Sequence, residues 1–196
     1  MSATFFFSTI LMKNLEMGIE NTTGRMGAEI IVVPREGTEH IRESLFAGTP
    51  CTLSFGREWV DAIRDLDGVE KVSPQLYLAT LSASCCDAAV QMIAFDPATD
   101  FVVTPWLGNN DTLVPGIGEV IVGNAVNAEV GNYITFYETD FKIVGKLEET
   151  GMGYDHSVFM TFETAYKLKD SAKAQENLPT DDMENLVSMI MVDVDD

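Results

Sequence analysis

The chain has 196 residues, 46% of them apolar and 22% charged, which is long enough for a substantial core and ordinary for a globular protein. With 31 acidic residues against 12 basic ones, its formal net charge is −19. That balance excludes the cationic surface on which nucleic-acid binding depends, and no polybasic segment offers adhesion to anionic lipid.

The N-terminus reads Phe5-Phe6-Phe7-Ser8-Thr9-Ile10-Leu11-Met12, an apolar run far short of the roughly 20 residues that cross a bilayer. It also lacks the cationic start and small-residue cleavage site of a signal peptide. Leu11, Leu15 and Ile19 recur at i+4, so the spacing predicts a helix over Phe7–Thr23. A helix that opens on three phenylalanines reads as the outer end of a transmembrane helix. Asn185–Val194, an apolar strand, runs almost to the last residue. The expectation is a loop of a longer membrane protein; a free-standing acidic binding protein whose first helix packs on its own core is the alternative.

Glu29–Val33 reads as a buried strand stopped by Pro34, which cannot donate to a ladder. Thr38 is expected to cap a short helix over His40–Phe46, closed by Gly48-Thr49-Pro50. Ser54 is expected to cap a helix over Arg57–Leu66, with Trp59, Ile63 and Leu66 on its apolar face and Gly68 in the left-handed position beyond it. Glu70–Leu81 reads as a strand interrupted by Pro74, hence an edge or bent strand. The order over residues 29–81 is β-α-β, for which a right-handed crossover is expected.

Ala89–Phe95 is the next strand, followed by Asp96-Pro97 and Phe101–Trp106. The pattern then turns mostly β, with strands at Glu119–Val122, Asn132–Tyr137 and Phe141–Leu147 and turns at Gly116, Gly118, Gly131 and Thr139-Asp140. A short helix is expected over Asn124–Val130. Gly151-Met152-Gly153 punctuates a crossing into a strand over Ser157–Met160, and a helix opening at Thr161 covers Phe162–Ala174. A solvated linker, Gln175–Asn185, leads to the strand Leu186–Val194. The fold class is therefore α+β: two β-α-β halves, residues 29–81 and 156–196, form one subdomain, and a smaller β-rich subdomain, residues 82–155, is inserted between them. Residues 1–28 form a membrane-proximal helix in front.

No residue pattern in the chain carries catalysis. Asp155, His156 and Ser157 are consecutive, and neighbours on a strand point to opposite faces, which cannot build a triad. Gly116-x-Gly118 and Gly151-x-Gly153 are too short for a dinucleotide loop, and a phosphate-binding Walker loop is absent. Cys51, Cys85 and Cys86 contain no C-x-x-C pair, and their odd number excludes a complete disulfide framework. A strained Cys85–Cys86 ring or a pairing with Cys51 stays open beside the favoured reading as small half-buried thiols. His40 and His156 have no second ligand nearby in sequence. Asp181, Asp182 and Glu184, like Asp193, Asp195 and Asp196, lack calcium-loop spacing and read as solvated acids. No catalytic, cofactor or metal residue is assigned, and an exposed apolar surface near Trp106–Leu113 is the expected partner surface.

Several segments share their order with one family. Val144-Gly145-Lys146-Leu147, Thr150-Gly151-Met152-Gly153, Val158-Phe159-Met160 and Glu163-Thr164-Ala165 follow one another as a V-G-x-L strand, a T-G-x-G loop, a V-F-x strand and an E-T-A helix. Gly24–Pro34, Asp67-Gly68-Val69 with Val72-Ser73-Pro74, Ile93–Trp106 and Gly118–Gly123 add to the series. The whole resembles the extracytoplasmic core domain of MacB/FtsX-type ABC-transporter permeases. The sequence departs from that pattern where Val130-Gly131-Asn132 replaces a longer K-x-G-D turn. The resemblance implies a porter-like subdomain carrying the insert, and a location on the extracytoplasmic side of the cell membrane. It also implies no enzymatic activity of the domain's own and no cofactor. A cytoplasmic ABC ATPase subunit would supply energy, the full-length permease would work as a homodimer or heterodimer, and a periplasmic or cell-surface accessory protein is a possible partner. The function so implied is coupling of membrane-helix motion to export or to that partner.

Overall fold

The computed structural model describes residues 27–80, 86–87, 89–110 and 112–195. The predicted helix over Phe7–Thr23 lies outside them. The described chain is a mixed α/β fold built on one large mixed sheet. Its strands are β1 (Ile30–Val32), β2 (Phe55–Gly56), β3 (Val69–Ala79), β4 (Gln91–Phe95), β5 (Glu119–Val122), β6 (Tyr133–Phe136), β7 (Thr139–Lys146), β8 (Ser157–Thr161), β9 (Leu186–Val187) and β10 (Met189–Val194). Eight of them run in the order β1-β10-β3-β4-β8-β5-β7-β6, and β2 pairs with β9 in a small second sheet. Four helices cover the sheet: α1 (Thr38–Ala47), α2 (Glu58–Arg64), α3 (Phe162–Tyr166) and α4 (Ala172–Asn177).

The central strands are apolar in nearly every position because both faces are covered. Even-numbered residues of β3, β4, β5 and β8 (Leu76, Leu78, Met92, Ala94, Val120, Val122, Val158, Met160) lie in one core with Phe162, Ala165 and Leu168 of the α3 region. Val60 and Ile63 of α2 extend that layer over Val72, Ile190 and Val192. The odd-numbered residues Tyr77, Ile93, Phe95, Ile121 and Phe159 form a second core with Ile41 and Leu45 of α1 and with Trp106, Met152 and Tyr154. The period of two that sends alternate side chains to opposite faces thus separates two cores along the same strands.

The topology interleaves the two halves. β1 and β3 are parallel with β10 between them, and β8 and β10 are parallel with β3 and β4 between them. β8 pairs with β4 in parallel and with β5 antiparallel. It is therefore the strand through which β1-β10-β3-β4 joins β5-β7-β6.

Several sequence expectations are corrected. β1 is an edge strand with Ile30 48% exposed, not a buried one. β3 is central despite Pro74. The Tyr77 N–H donates to Ser188 Oγ on the β10 side, so alternation turns the Pro74 nitrogen the other way, past Gln75–Phe95, the last β3–β4 pair. No ladder bond is lost there. Thr38 does not cap α1; its hydroxyl donates back to Arg35 C=O. Ser54 does not cap α2, whose buried face is Val60 and Ile63, while Trp59 and Leu66 stand exposed at 56% and 59%. Residues 124–130 form turns rather than a helix. The long helix over 162–174 breaks after Tyr166, because Ser171 caps a new helix by accepting from Ala174 N–H. Residues 175–185 are not a solvated linker, since Leu178, Thr180 and Met183 are buried. Thr161 does cap α3 as expected, accepting from Thr164 N–H.

The turn between β6 and β7 falls at Tyr137-Glu138 instead of Thr139-Asp140, and both residues hold left-handed backbone, with φ of 52° and 61°. Such a pair matches the twist of a two-residue hairpin but costs a non-glycine residue about 1–2 kcal/mol. Three contacts hold it. The fully buried Tyr137 donates from its hydroxyl to Ala79 C=O at 2.6 Å, Ser171 Oγ donates to Tyr137 C=O at 2.6 Å, and Thr139 Oγ1 donates to it at 3.5 Å. One side chain thereby ties the hairpin to the end of β3, and its carbonyl ties it to the cap of α4. Tyr137→Phe is expected to destabilise the domain by about 1–3 kcal/mol, leaving Ala79 C=O buried without its donor. Glu138→Gly is expected to raise stability by up to about 1 kcal/mol by relieving the left-handed backbone. Thermal melts of the two variants moving in opposite directions check both.

Candidate functional site

Residues 150–156, which include the T-G-x-G loop, form a tightly built crossing. Asp155 is buried, and its carboxylate accepts from Thr150 N–H at 2.8 Å, Thr150 Oγ1 at 2.9 Å and Gly151 N–H at 2.8 Å. Thr150 Oγ1 in turn accepts from Met152 N–H, and Gly151 takes a left-handed φ of 72° to close the loop. The Asp155 carbonyl accepts from Ala125 N–H at 2.9 Å, so the loop is bound to the chain leaving β5. A charge-assisted clamp of this kind outweighs ordinary loop bonds. Asp155, His156 and Ser157 accordingly do different work: Asp155 clamps the loop, His156 is exposed, and Ser157 Oγ donates to Gly153 C=O at 2.8 Å.

Two glycines let this crossing sit where it does. A Cβ on Gly153 would overlap the carbonyl oxygens of Ser44 and Leu45 and meet Gly48 N at the end of α1. A Cβ on Gly123 would overlap the carbonyls of Tyr154 and Asp155. Backbone therefore stacks on backbone from α1 through the crossing to β5, a fit that only residues without a side chain allow. Gly48 ends α1 in the left-handed conformation, with its N–H on Ser44 C=O at 3.0 Å and Thr49 N–H on Glu43 C=O at 3.4 Å.

Beneath the crossing runs a buried polar line. The Tyr154 hydroxyl and the Gln75 amide exchange hydrogen bonds at 3.0 and 3.1 Å. Gln91 Oε1 accepts from Ser44 Oγ at 3.2 Å and from Cys51 N–H at 2.7 Å, which pins α1 and the following loop to β4. Burial pushes the Tyr154 hydroxyl and the Cys51 thiol above their ordinary pKa values. Cys51 is thus a packed thiol rather than a reactive thiolate. Cys86 bridges to Phe136 at the outer edge of β6, and Cys85 lies outside the described residues. Asp100 accepts from the N–H groups of Val102, Val103 and Thr104 and fixes the loop after β4. Burial raises its pKa above the ordinary carboxylate value, an effect that the hydrogen bonds from those three amides offset only in part.

On the opposite face, a cleft of about 420 Å³ opens between α2 and the end of β4. Arg57 and Arg64 line it with Glu58, Asp61 and Asp96, so carboxylates outnumber guanidinium groups. Arg64 is paired with Asp61 at 2.6 Å, and Arg57 lies 4.4 Å from the Phe162 ring centroid with Nη1 donating to Tyr166. Arg57 thus braces α2 against α3 and Arg64 is held by a carboxylate of its own helix, so neither presents an anion site. The expected apolar surface at Trp106–Leu113 is corrected too: Trp106 and Leu107 are buried, and the exposed apolar residues nearby are Val114, Ile117, Val130 and Tyr133. The motif spelling T-G-x-G carried a readable signal for the crossing. The Gln75–Tyr154 and Ser44–Gln91 pairs carried none, because each joins residues far apart in sequence.

The crossing makes a prediction. Gly153→Ala forces the last turn of α1 away from the loop and is expected to cost about 1–3 kcal/mol, the range for overpacking a close contact. Half-buried Gly118, where no neighbour lies within 4 Å of a Cβ, is the control, since its Ala variant tests only the left-handed backbone at φ 79°. Denaturant melts in which Gly153→Ala is no worse than Gly118→Ala contradict the close-packing account.

Two solved structures are similar to this chain. The periplasmic region of MacB from Actinobacillus actinomycetemcomitans is 7% identical over 72% of this chain and 65% of that one, with a TM-score of 0.44. The extracellular domain of the ABC-type transporter YknZ from Gram-positive bacteria is 15% identical over 78% of this chain and 82% of that one, with a TM-score of 0.43. The chain thus spans a little under two thirds of the MacB periplasmic region. No curated protein matches the sequence. Residues 2–196 match the MacB-like periplasmic core domain, and the chain belongs to that family.

Proposed function

We propose that this chain works as the extracytoplasmic domain of an ABC-transporter permease, where it passes the motion of membrane helices to an exported substrate or to a partner protein. The observation that carries this reading is mechanical. One sheet of eight strands runs through the domain, its central strands covered on both faces, and β8 joins its two ends through backbone pairing on each side. A body built so moves as a unit, because displacing one end breaks ladder bonds and two packed cores. Family membership over residues 2–196 supports the extracytoplasmic side of a cell membrane as its place.

In this reading the helix predicted over Phe7–Thr23 is the lever, and residues 29–81 with 156–196 form the platform that it moves. Residues 82–155 contribute the distal arm, ending in the β6–β7 hairpin. ATP is hydrolysed by a separate cytoplasmic subunit, and two permease copies, identical or different, face each other in the membrane. A periplasmic or cell-surface accessory protein would meet the arm. Breaking the lever with Leu15→Pro should reproduce the phenotype of deleting the permease gene, while the ATPase rate of the purified complex and the melting of the β core stay unchanged. Cells that behave as wild type with Leu15→Pro would sink the lever.

A further inference from the structure

One sequence feature is not absorbed by the mechanical reading. Asn110 and Thr112 stand two apart with Asp111 between them, the Asn-x-Thr pattern in which x is not proline. Such a pattern matters only where a transferase can reach the asparagine amide from solvent. The structure meets that condition. Asn110 ends the 3-10 segment Thr104–Asn110 and is exposed, as is Thr112. The Leu113 N–H donates to the Asn110 carbonyl at 2.9 Å, which turns the chain back toward the core just after the asparagine. Trp106 and Leu107 are buried before this site and Leu113 is half-buried after it, so Asn110 and Thr112 stand exposed between anchored residues. The neighbouring Val114 and Ile117 are 66% and 59% exposed, apolar surface that a bulky hydrophilic group on Asn110 would cover.

We propose that Asn110 is an N-glycosylation acceptor, a modification that rests on the extracytoplasmic placement above. The donor class is a lipid-linked oligosaccharide. The bond from the first sugar's anomeric carbon to the lipid phosphate oxygen breaks, and a bond from that carbon to Asn110 Nδ2 forms. One Nδ2 proton leaves, the lipid phosphate departs with the bonding electrons, and no atom changes oxidation state. The chain's other Asn-x-Thr, Asn21-Thr22-Thr23, lies outside the described residues.

The test uses the full-length protein purified from membranes of its own cells. A chymotryptic peptide bearing Asn110 is expected to weigh more than its sequence mass by whole sugar residues. That shift should be lost in Asn110→Gln and in Thr112→Ala and kept in Thr112→Ser. In the same cells a membrane-impermeant amine reagent reports which side of the membrane Lys142 occupies. An Asn110 peptide found only at its sequence mass while Lys142 is labelled from outside overturns the proposal and leaves the extracytoplasmic reading standing. Added mass on Asn21 alone also overturns it. Lys142 protected in spheroplasts, where only the cytoplasmic membrane stands before the reagent, overturns both.

Discussion

The sheet is continuous because β8 fits between β4 and β5, and β8 is placed by the crossing that precedes it. That crossing is pressed between the end of α1 and the chain leaving β5, with Gly153 against the Ser44 and Leu45 carbonyls and Gly123 against those of Tyr154 and Asp155. The Asp155 carboxylate, buried and accepting three hydrogen bonds from Thr150 and Gly151, holds the loop in the shape that threads this gap. A side chain at either glycine, or an unclamped loop, would shift the register at which β8 meets its two neighbours. The pairing of Gln91–Phe95 with Ser157–Thr161 and of Ile121–Val122 with Val158–Phe159 follows from that placement.

Around this point the remaining interactions act as braces. Gln91 holds α1 to β4, the Gln75–Tyr154 pair holds the crossing to β3, and Arg57 holds α2 to α3. Each brace is buried or half-buried and joins distant parts of the chain, whereas the exposed ion pairs such as Arg64–Asp61 contribute little in solvent. The stiffness that the mechanical reading needs is thus spread over both faces. At the far end, Tyr137 supplies the corresponding tie for the β6–β7 hairpin, through a turn that the surrounding contacts hold against its own backbone preference.

Much of this was legible in the sequence. The strands that became β4, β5, β7 and β8 were visible as apolar runs, and Thr161 announced α3 as a cap must, by its spacing to the helix it opens. The T-G-M-G order located the crossing, although its meaning lay in what it packs against. The errors have local physical causes. Pro74 suggested an edge, but its missing donor points where no partner strand runs. Trp59, Ile63 and Leu66 suggested a buried face by spacing alone, and tertiary packing kept Ile63 but set Val60 beside it in place of the other two. The helix expected over 124–130 lost to the backbone bond that Ala125 makes with the crossing. The polar braces were beyond reach, because hydrogen bonds between residues such as Ser44 and Gln91 leave no periodicity.

The central claim is that this domain belongs to a membrane permease and moves as one body on the extracytoplasmic side of the membrane. Fractionating source cells and probing the membrane and soluble fractions with an antibody to this domain tests it most directly. The account predicts a membrane-bound band well above the mass of this chain, resistant to salt washing and released by detergent. A soluble band at the mass of the chain itself would contradict it and leave a free-standing acidic binding protein.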